Sequence, residues 1–380
     1  MSQSVKARHY HTGQAIEVFF EGKTIARIEN IASAPNLPAI FPGLVDIQVN
    51  GWNGTDINRP GVEPQDFVKI TRDLRRKGIT TWIPTLITQS VENLEATLRA
   101  YIKMYPQIRS AAPGIHLEGP FISPEDGARG AHPAQFVRSP DWKLMEKWIE
   151  ISEGNIRLIT LSPEWPEAPD FIKKCVKAGI RVSIGHTAAE SSQIQAAVAA
   201  GATLSTHLGN GSHQMLRRHP NYIWDQMAAD ELFATVITDG FHLPDVVIKT
   251  ILKVKAEKAL LVSDTTAIGG LPPGEYDAPI GGKVVLTPAG KLHMEANANM
   301  LAGSASNLLD CVRYLAGTGM ESLPDAWDRG SVLPAAFMGL PQAKGLTPGA
   351  PADWVLVRQE HGKFDLVEVC KDGIRYECEM

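Results

Sequence analysis

Eight short runs of apolar and β-branched residues punctuate this chain: Leu44 to Val49, Ile79 to Pro84, Gly114 to Leu117, Arg157 to Leu161, Ile180 to Ile184, Ala202 to Thr206, Ala234 to Thr238 and Ala259 to Ser263. Stretches with helical spacing lie between them, such as Phe67, Ile70 and Leu74 after the first run. Another is Ile194, Ala197, Val198 and Ala200 after the fifth, where Gly201 supplies a stop. Strand alternating with helix predicts a parallel sheet, and apolar runs without alternation predict burial on both faces. Periodicity alone fits an open doubly wound sheet as well as a closed barrel. The polar residues decide between them, because Gln48 with Asn50, Glu118, His186, His207, His242 and Asp264 all stand where a run gives out. Side chains from so many strand ends meet at one point only if the sheet closes. The expected fold is therefore α/β, a (β/α)8 TIM barrel whose site lies at the C-terminal ends of its strands.

The chain has 380 residues, more than the roughly 250 of a typical barrel, which leaves room for insertions and a second unit. Ala15 to Phe20 and Thr24 to Ile28, joined by Glu21, Gly22 and Lys23, read as a hairpin; Asp353 to Arg358 and Phe364 to Cys370 read as two more strands. Residues 1–41 and 345–380 are thus expected to pair into a small β-sandwich domain flanking a barrel of residues 42–344. Pro- and Gly-rich stretches mark both boundaries. The formal charge of −5 provides no broad basic field, which argues against nucleic acid or an anionic membrane as partner. No apolar leader follows Met1, and no run approaches the ~18 residues of a spanning helix. Cys175, Cys311, Cys370 and Cys378 match neither a disulfide framework nor a zinc knuckle, so free thiols and a cytoplasmic location are expected.

The chemistry starts from Gln48 and Asn50, two residues apart on one strand and so facing the same way. Histidines there would form a metal-binding pair. Amide oxygens are poorer ligands for a zinc-like ion, so a second metal is disfavoured and a hydrogen-bonding pair is the alternative. Glu118, His186 and His207 together offer two imidazoles and a carboxylate from three strand ends, a set that leaves a position for water at a catalytic metal. Taken singly, Glu118 could be a surface or ion-paired carboxylate, and each histidine could merely satisfy a backbone carbonyl. His116, two residues before Glu118, is expected to be a hydrogen-bonded core histidine. Asp264 could ligate, cap, or shuttle a proton; the shuttle is favoured because an amine expelled from an amide must be protonated as it leaves. The segment from Ile268 to Met294 could be a lid over the mouth or a plain insertion.

At this point the residues resemble the amidohydrolase superfamily, and within it the branch that removes the acetyl group from N-acetylglucosamine 6-phosphate. The resemblance rests on Pro42-Gly43-Leu44-Val45-Asp46 with Gln48 and Asn50, His116-Leu117-Glu118-Gly119-Pro120-Phe121, Gly185-His186-Thr187, Thr206-His207-Leu208 with Asn210, Asp239-Gly240-Phe241-His242, Ser263-Asp264 and Leu301-Ala302-Gly303-Ser304. It implies one divalent ion, zinc before iron, cobalt or manganese, on Glu118, His186 and His207, with Gln48 and Asn50 at the position of a lost second metal. It also implies a catalytic Asp264, with Ala131 and His132 at the acetamide. Asn210, Gly211, Arg218 and His242 would sit at the sugar phosphate, and Leu301, Ala302 and Gly303 would line the substrate. A homodimer is implied as well, with the arginine reaching into the neighbouring subunit's site.

Departures from the family pattern cluster at the substrate end. Gly209, Asn210, Gly211, Ser212 and His213 stand where an aromatic residue and Asn-Ala-Met are usual, and His219 to Trp224 replace an acidic residue, proline and glycine. His213 and His219 could touch substrate or serve the loop; Tyr222 and Trp224 could stack on a sugar or line a subunit contact. The expected partner is a small amino-sugar substrate, and the expected reaction is metal-dependent hydrolysis of its acetamide. Two alternatives stay open: a deacetylase of an unphosphorylated or different N-acetylated amino sugar, and a non-catalytic sugar-phosphate binding barrel.

Overall fold

The computed structural model describes residues 3–32, 34–278, 282–360 and 363–378. Strands β1 (Gln3–His9), β2 (Ala15–Glu21), β3 (Thr24–Asn30) and β4 (Ala39–Pro42) open the chain. The barrel follows as β5 (Leu44–Val49), a two-residue pair β6 (Gly51–Trp52) and β7 (Thr55–Asp56) outside it, then β8 (Ile79–Ile87), β9 (Ile115–Glu118), β10 (Ile156–Leu161), β11 (Arg181–Ile184), β12 (Leu204–Ser205), β13 (Phe233–Val236) and β14 (Ala259–Leu261). A four-stranded antiparallel insertion comes next, β15 (Gly274–Ala278), β16 (Gly282–Leu286), β17 (Leu292–Met294) and β18 (Asn297–Leu301). The chain then ends with β19 (Trp354–Glu360), β20 (Lys363–Lys371) and β21 (Ile374–Glu377).

The eight barrel strands run in the order β14-β13-β12-β11-β10-β9-β8-β5, every pair parallel. Closure is made just past the last strand: Asp264 N donates to Gln48 O at 3.0 Å and Asn50 N donates to Thr265 O at 2.9 Å. That seam brings together residues more than two hundred positions apart in sequence. Helices with one apolar face cover the outside, as the spacing predicts. The helix Pro64–Arg75 buries Phe67, Ile70 and Leu74, and the helix Ser191–Ala200 buries Ile194, Ala197 and Ala200 before Gly201 takes φ +111°.

Inside the barrel the side chains form layers, as a filled cylinder requires. Leu158, Leu204, Leu260 and Val262 pack with Ala335, Phe337 and Met338 of the helix Val332–Met338, which plugs one end. Another part of the interior is polar and internally paired. His116 Nε2 meets Thr160 Oγ1 at 2.7 Å, Thr160 Oγ1 meets Thr206 Oγ1 at 2.7 Å, and Ser183 Oγ meets Thr206 Oγ1 at 2.5 Å. His116 is therefore a core histidine held by hydroxyls, and burial pushes its pKa down to about 4, so it is neutral.

Both termini build one seven-stranded sheet, β21-β20-β19-β4-β1-β2-β3. The sandwich expected of the termini is found as this single sheet, with a core of its own formed by Val5, Ile16, Val18, Phe20, Ile25, Trp354 and Leu356. Its pairings are irregular at Phe19/Phe20 and Leu356/Val357, and Thr24 bridges to Pro351. Strand β1 carried no hairpin signal of its own and pairs with β2 from the far side. The four cysteines are free thiols. Among the described residues, no helix is long and apolar enough to cross a membrane.

Candidate active site

Glu118 is the last residue of β9, while His186, His207 and Asp264 lie two or three residues past the ends of β11, β12 and β14. The three that follow their strands take left-handed backbone conformations, His186 at φ +47°, His207 at +30° and Asp264 at +49°. For residues with a β-carbon this costs on the order of 1 kcal/mol each. The turn re-aims each side chain from the barrel wall toward the axis. Strand ends thus deliver the residues, and local strain points them.

All three metal-type ligands are buried, and their donor atoms lie within 4.8 Å of one another. Glu118 Oε1 is 3.2 Å from His186 Nε2 and 3.0 Å from His207 Nε2, and the two imidazole nitrogens are 3.1 Å apart. His186 Nδ1 lies 3.2 Å from Ala128 O, an acceptor only, so that nitrogen carries the proton and Nε2 turns a lone pair inward. Burial opposes ionisation of Glu118, yet its contacts with His186 and His207 hold its carboxyl well below the usual range. Burial likewise disfavours a charged His207, and Glu118 more than reverses it. Among the described residues, no Lys or Arg pairs with Glu118. A buried carboxylate beside an inward-facing lone pair fits a divalent cation, which needs those donors and compensates that charge.

Gln48 and Asn50 take the hydrogen-bonding role. Gln48 Nε2 donates to Glu118 Oε1 at 3.0 Å, and Asn50 Nδ2 donates to Asp264 Oδ1 at 2.7 Å across the barrel seam. Burial and the Glu118 charge push Asp264 up to about 6, against the opposing pull of His207 and Asn50. His132 comes in from the loop after β9 with its Nδ1 2.9 Å from Thr88 Oγ1 and its ring 4.3 Å from that of His186. Burial and the neighbouring His186 push its pKa down to about 3, so the ring is neutral. His242 Nδ1 is 2.7 Å from Asp239 Oδ2, and this bond overcomes burial to keep the Asp239 carboxyl below its ordinary range.

A cavity of about 390 Å³ joins these groups. Asn50, Glu118, Ala131, His132, His186, His207, Asn210, Gly211, His242, Asp264, Leu301, Ala302 and Gly303 line it, which gathers nearly every residue expected at the site. Arg218 is exposed and outside that lining. His213 also stands apart, its ring between Glu125 Oε2 at 3.2 Å and the Tyr222 hydroxyl at 2.9 Å, where it braces its loop. His219 and Trp224 are exposed. The insertion between Ile268 and Leu301 carries a small sheet and reaches the cavity through Ile268, Ala278, Met294, Met300 and Leu301. Thr88, Asp56 and Asn58 were not visible as site residues in the sequence; no ligand-like pattern marks them. A larger hollow of about 700 Å³ opens beside β1, β4 and β19, lined by Arg8, Tyr10 and Arg358 among others, but among the described residues no metal-ligand set converges there. Chemistry rather than volume identifies the site.

The pattern of the amidohydrolase family matches residues 39–374. The N-acetylglucosamine-6-phosphate deacetylase of Bos taurus is 32% identical over 359 residues, spanning 90% of this chain and 84% of that protein. The enzyme of the same name from Bacillus subtilis is 29% identical over 350 residues, spanning 90% and 86%. A variant of the Mycobacterium smegmatis N-acetyl-D-glucosamine-6-phosphate deacetylase, solved with N-acetyl-D-glucosamine-6-phosphate, superposes with a TM-score of 0.86 at 25% identity, covering 98% of this chain and 99% of that one.

Proposed function

This chain belongs to the amidohydrolase family, and from that premise we propose that it hydrolyses the acetamide of N-acetylglucosamine 6-phosphate to glucosamine 6-phosphate and acetate. The observation that carries the reading is the meeting of Glu118, His186 and His207 in one cavity with Asp264 and His132. Glu118, His186 and His207 are the residues that would hold one divalent ion, with zinc expected first and iron, cobalt and manganese compatible with the same donors. When bound, such an ion would supply Lewis acidity, bringing the pKa of water down toward ~7.

The remaining work falls to side chains. Asp264, ionised and held by Asn50, takes the proton of the attacking water and returns it to the departing amine nitrogen. Neutral His132 presents an N–H to the acetamide oxygen as charge develops there. Asn210, Gly211 and His242 line the cavity on the side assigned to the phosphate, and Leu301, Ala302 and Gly303 enclose the sugar. We assign Arg218 to the phosphate of the neighbouring subunit's substrate in a homodimer, a reading supported by its exposure and by the exposed Met215, Leu216 and Trp224 near it in sequence.

The deciding assay compares acetate release from N-acetylglucosamine 6-phosphate and from the free sugar, with metal content measured on the same sample. Release only from the phosphorylated sugar is expected. Equal or faster release from the free sugar would favour a second reading, deacetylation of an unphosphorylated amino sugar, for which the position of Arg218 outside its own cavity is the supporting observation. No metal and no turnover with either would leave a binding barrel.

A further inference from the structure

Thr88 follows β8 and is wholly buried, with no place in the ligand set. Its hydroxyl has one proton and two neighbours. His132 Nδ1 lies 2.9 Å away, and the carbonyl oxygen of Glu118 lies 3.4 Å away. The first distance is that of a well-formed hydrogen bond and the second that of a long one; assigned to the shorter contact, the hydroxyl proton points at His132 Nδ1. A neutral imidazole that accepts at Nδ1 must carry its own proton at Nε2. We propose that Thr88 is a positioning residue that sets the tautomer of His132, so that this ring faces the cavity as a hydrogen-bond donor.

The surroundings are built to keep this contact. Gly119 follows Glu118 at φ +85°, and a β-carbon there would stand 2.2 Å from Thr88 Oγ1, so glycine leaves the space that the hydroxyl occupies. The backbone of His132 is tied separately, its carbonyl accepting from Arg129 Nη1 at 2.6 Å. The ring edge rests on His186, at 4.3 Å between centroids with planes 64° apart. Position is thus fixed from several sides, while the proton's place on the ring is decided by Thr88. The distinction matters because a carbonyl oxygen only accepts. An Nε2 lone pair aimed at it would repel the charge that grows there, whereas an Nε2–H stabilises that charge.

The inference rests on the role given to His132 above, and the experiment separates the two. Thr88→Val keeps the shape and removes the hydroxyl; Thr88→Ser keeps the hydroxyl. In zinc-loaded protein with ¹⁵N-labelled histidine, two-bond ¹H–¹⁵N correlations report which ring nitrogen of His132 is protonated, the signal being identified by its loss in His132→Gln. The expected result is an Nε2–H ring in the wild type and in Thr88→Ser, and a mixed or Nδ1–H ring in Thr88→Val. Turnover of Thr88→Val is expected to fall about 10- to 100-fold with KM nearly unchanged, to recover in Thr88→Ser, and to show no further loss when Thr88→Val is added to His132→Gln. A wild-type ring protonated at Nδ1, or an equal fold-loss with and without His132, overturns the proposal. A wild type that releases no acetate defeats the functional reading instead, and the ring spectra alone still decide what Thr88 does.

Discussion

The metal wall and the substrate rim of the cavity are made differently. Glu118, His186 and His207 are buried at or just past the ends of parallel strands, braced by one another, by Gln48 and by the carbonyl of Ala128. The rim is carried by loops and by the inserted sheet: Asn210 and Gly211 are half-buried, Met300 is 52% exposed, and Arg218 lies outside the cavity. A wall built on strands inherits the rigidity of the barrel, whereas a rim built on loops can change its partner without disturbing it. The departures from the family pattern fall on the rim, where such changes are tolerated.

The comparison is sharpest where it predicts loss of everything. Glu118→Gln removes the charge that two imidazoles surround, so metal content and acetate release should both drop to background, as read by metal analysis and assay. Asp264→Asn should retain metal and lose about 10²–10⁴ in turnover, since only the proton transfer is removed. In the wild type the acid limb of turnover follows protonation of Asp264: its pKa is raised, so activity is present above that pKa and is lost as pH falls through it. The limb should vanish in the variant's residual activity. Retained near-normal turnover would return Asp264 to a purely structural role.

On the rim, Arg218→Ala should leave metal content unchanged and raise KM for the phosphorylated sugar by about 10- to 150-fold, the equivalent of one charge-assisted hydrogen bond. The free sugar should be unaffected, and mixing this variant with an Asp264→Asn subunit should restore part of the activity if the arginine acts across a dimer. The smallest effect tests where wall and rim touch. A β-carbon on Gly211, at φ +55°, would stand 2.7 Å from His186 Nδ1, so Gly211→Ala should weaken metal binding by about 10- to 100-fold, as disturbed support of a ligand does. Unchanged affinity, measured by competition with a chelator, would mean that the rim moves freely past the wall.

Much of this is legible in the sequence itself. Continuous apolar runs alternating with helical spacing specify buried parallel strands, because burial on both faces leaves no polar side to alternate. The polar residues ending those runs include Glu118, His186 and His207, which the fold brings together. The insertion is harder to read: β15 carries no buried residue and four of the five in β18 are exposed, so little apolar patterning marks these strands. His213 could touch substrate or serve the loop, and Tyr222 could stack on a sugar or line a subunit contact; their mutual hydrogen bond assigns both to bracing the loop.

Sequence by itself therefore determined the number of barrel strands, the closed parallel architecture and the residues capable of holding an ion, since periodicity and residue chemistry are written locally along the chain. Tertiary structure alone decided that Asn50 meets Asp264, that Thr88 meets His132, that Gly119 and Gly211 must lack side chains, and that Arg218 stands outside its own cavity. Those facts depend on the register at which the last strand closes on the first and on how loops fold back across the mouth. Such distances are set by the whole cylinder, and no spacing along the chain records them.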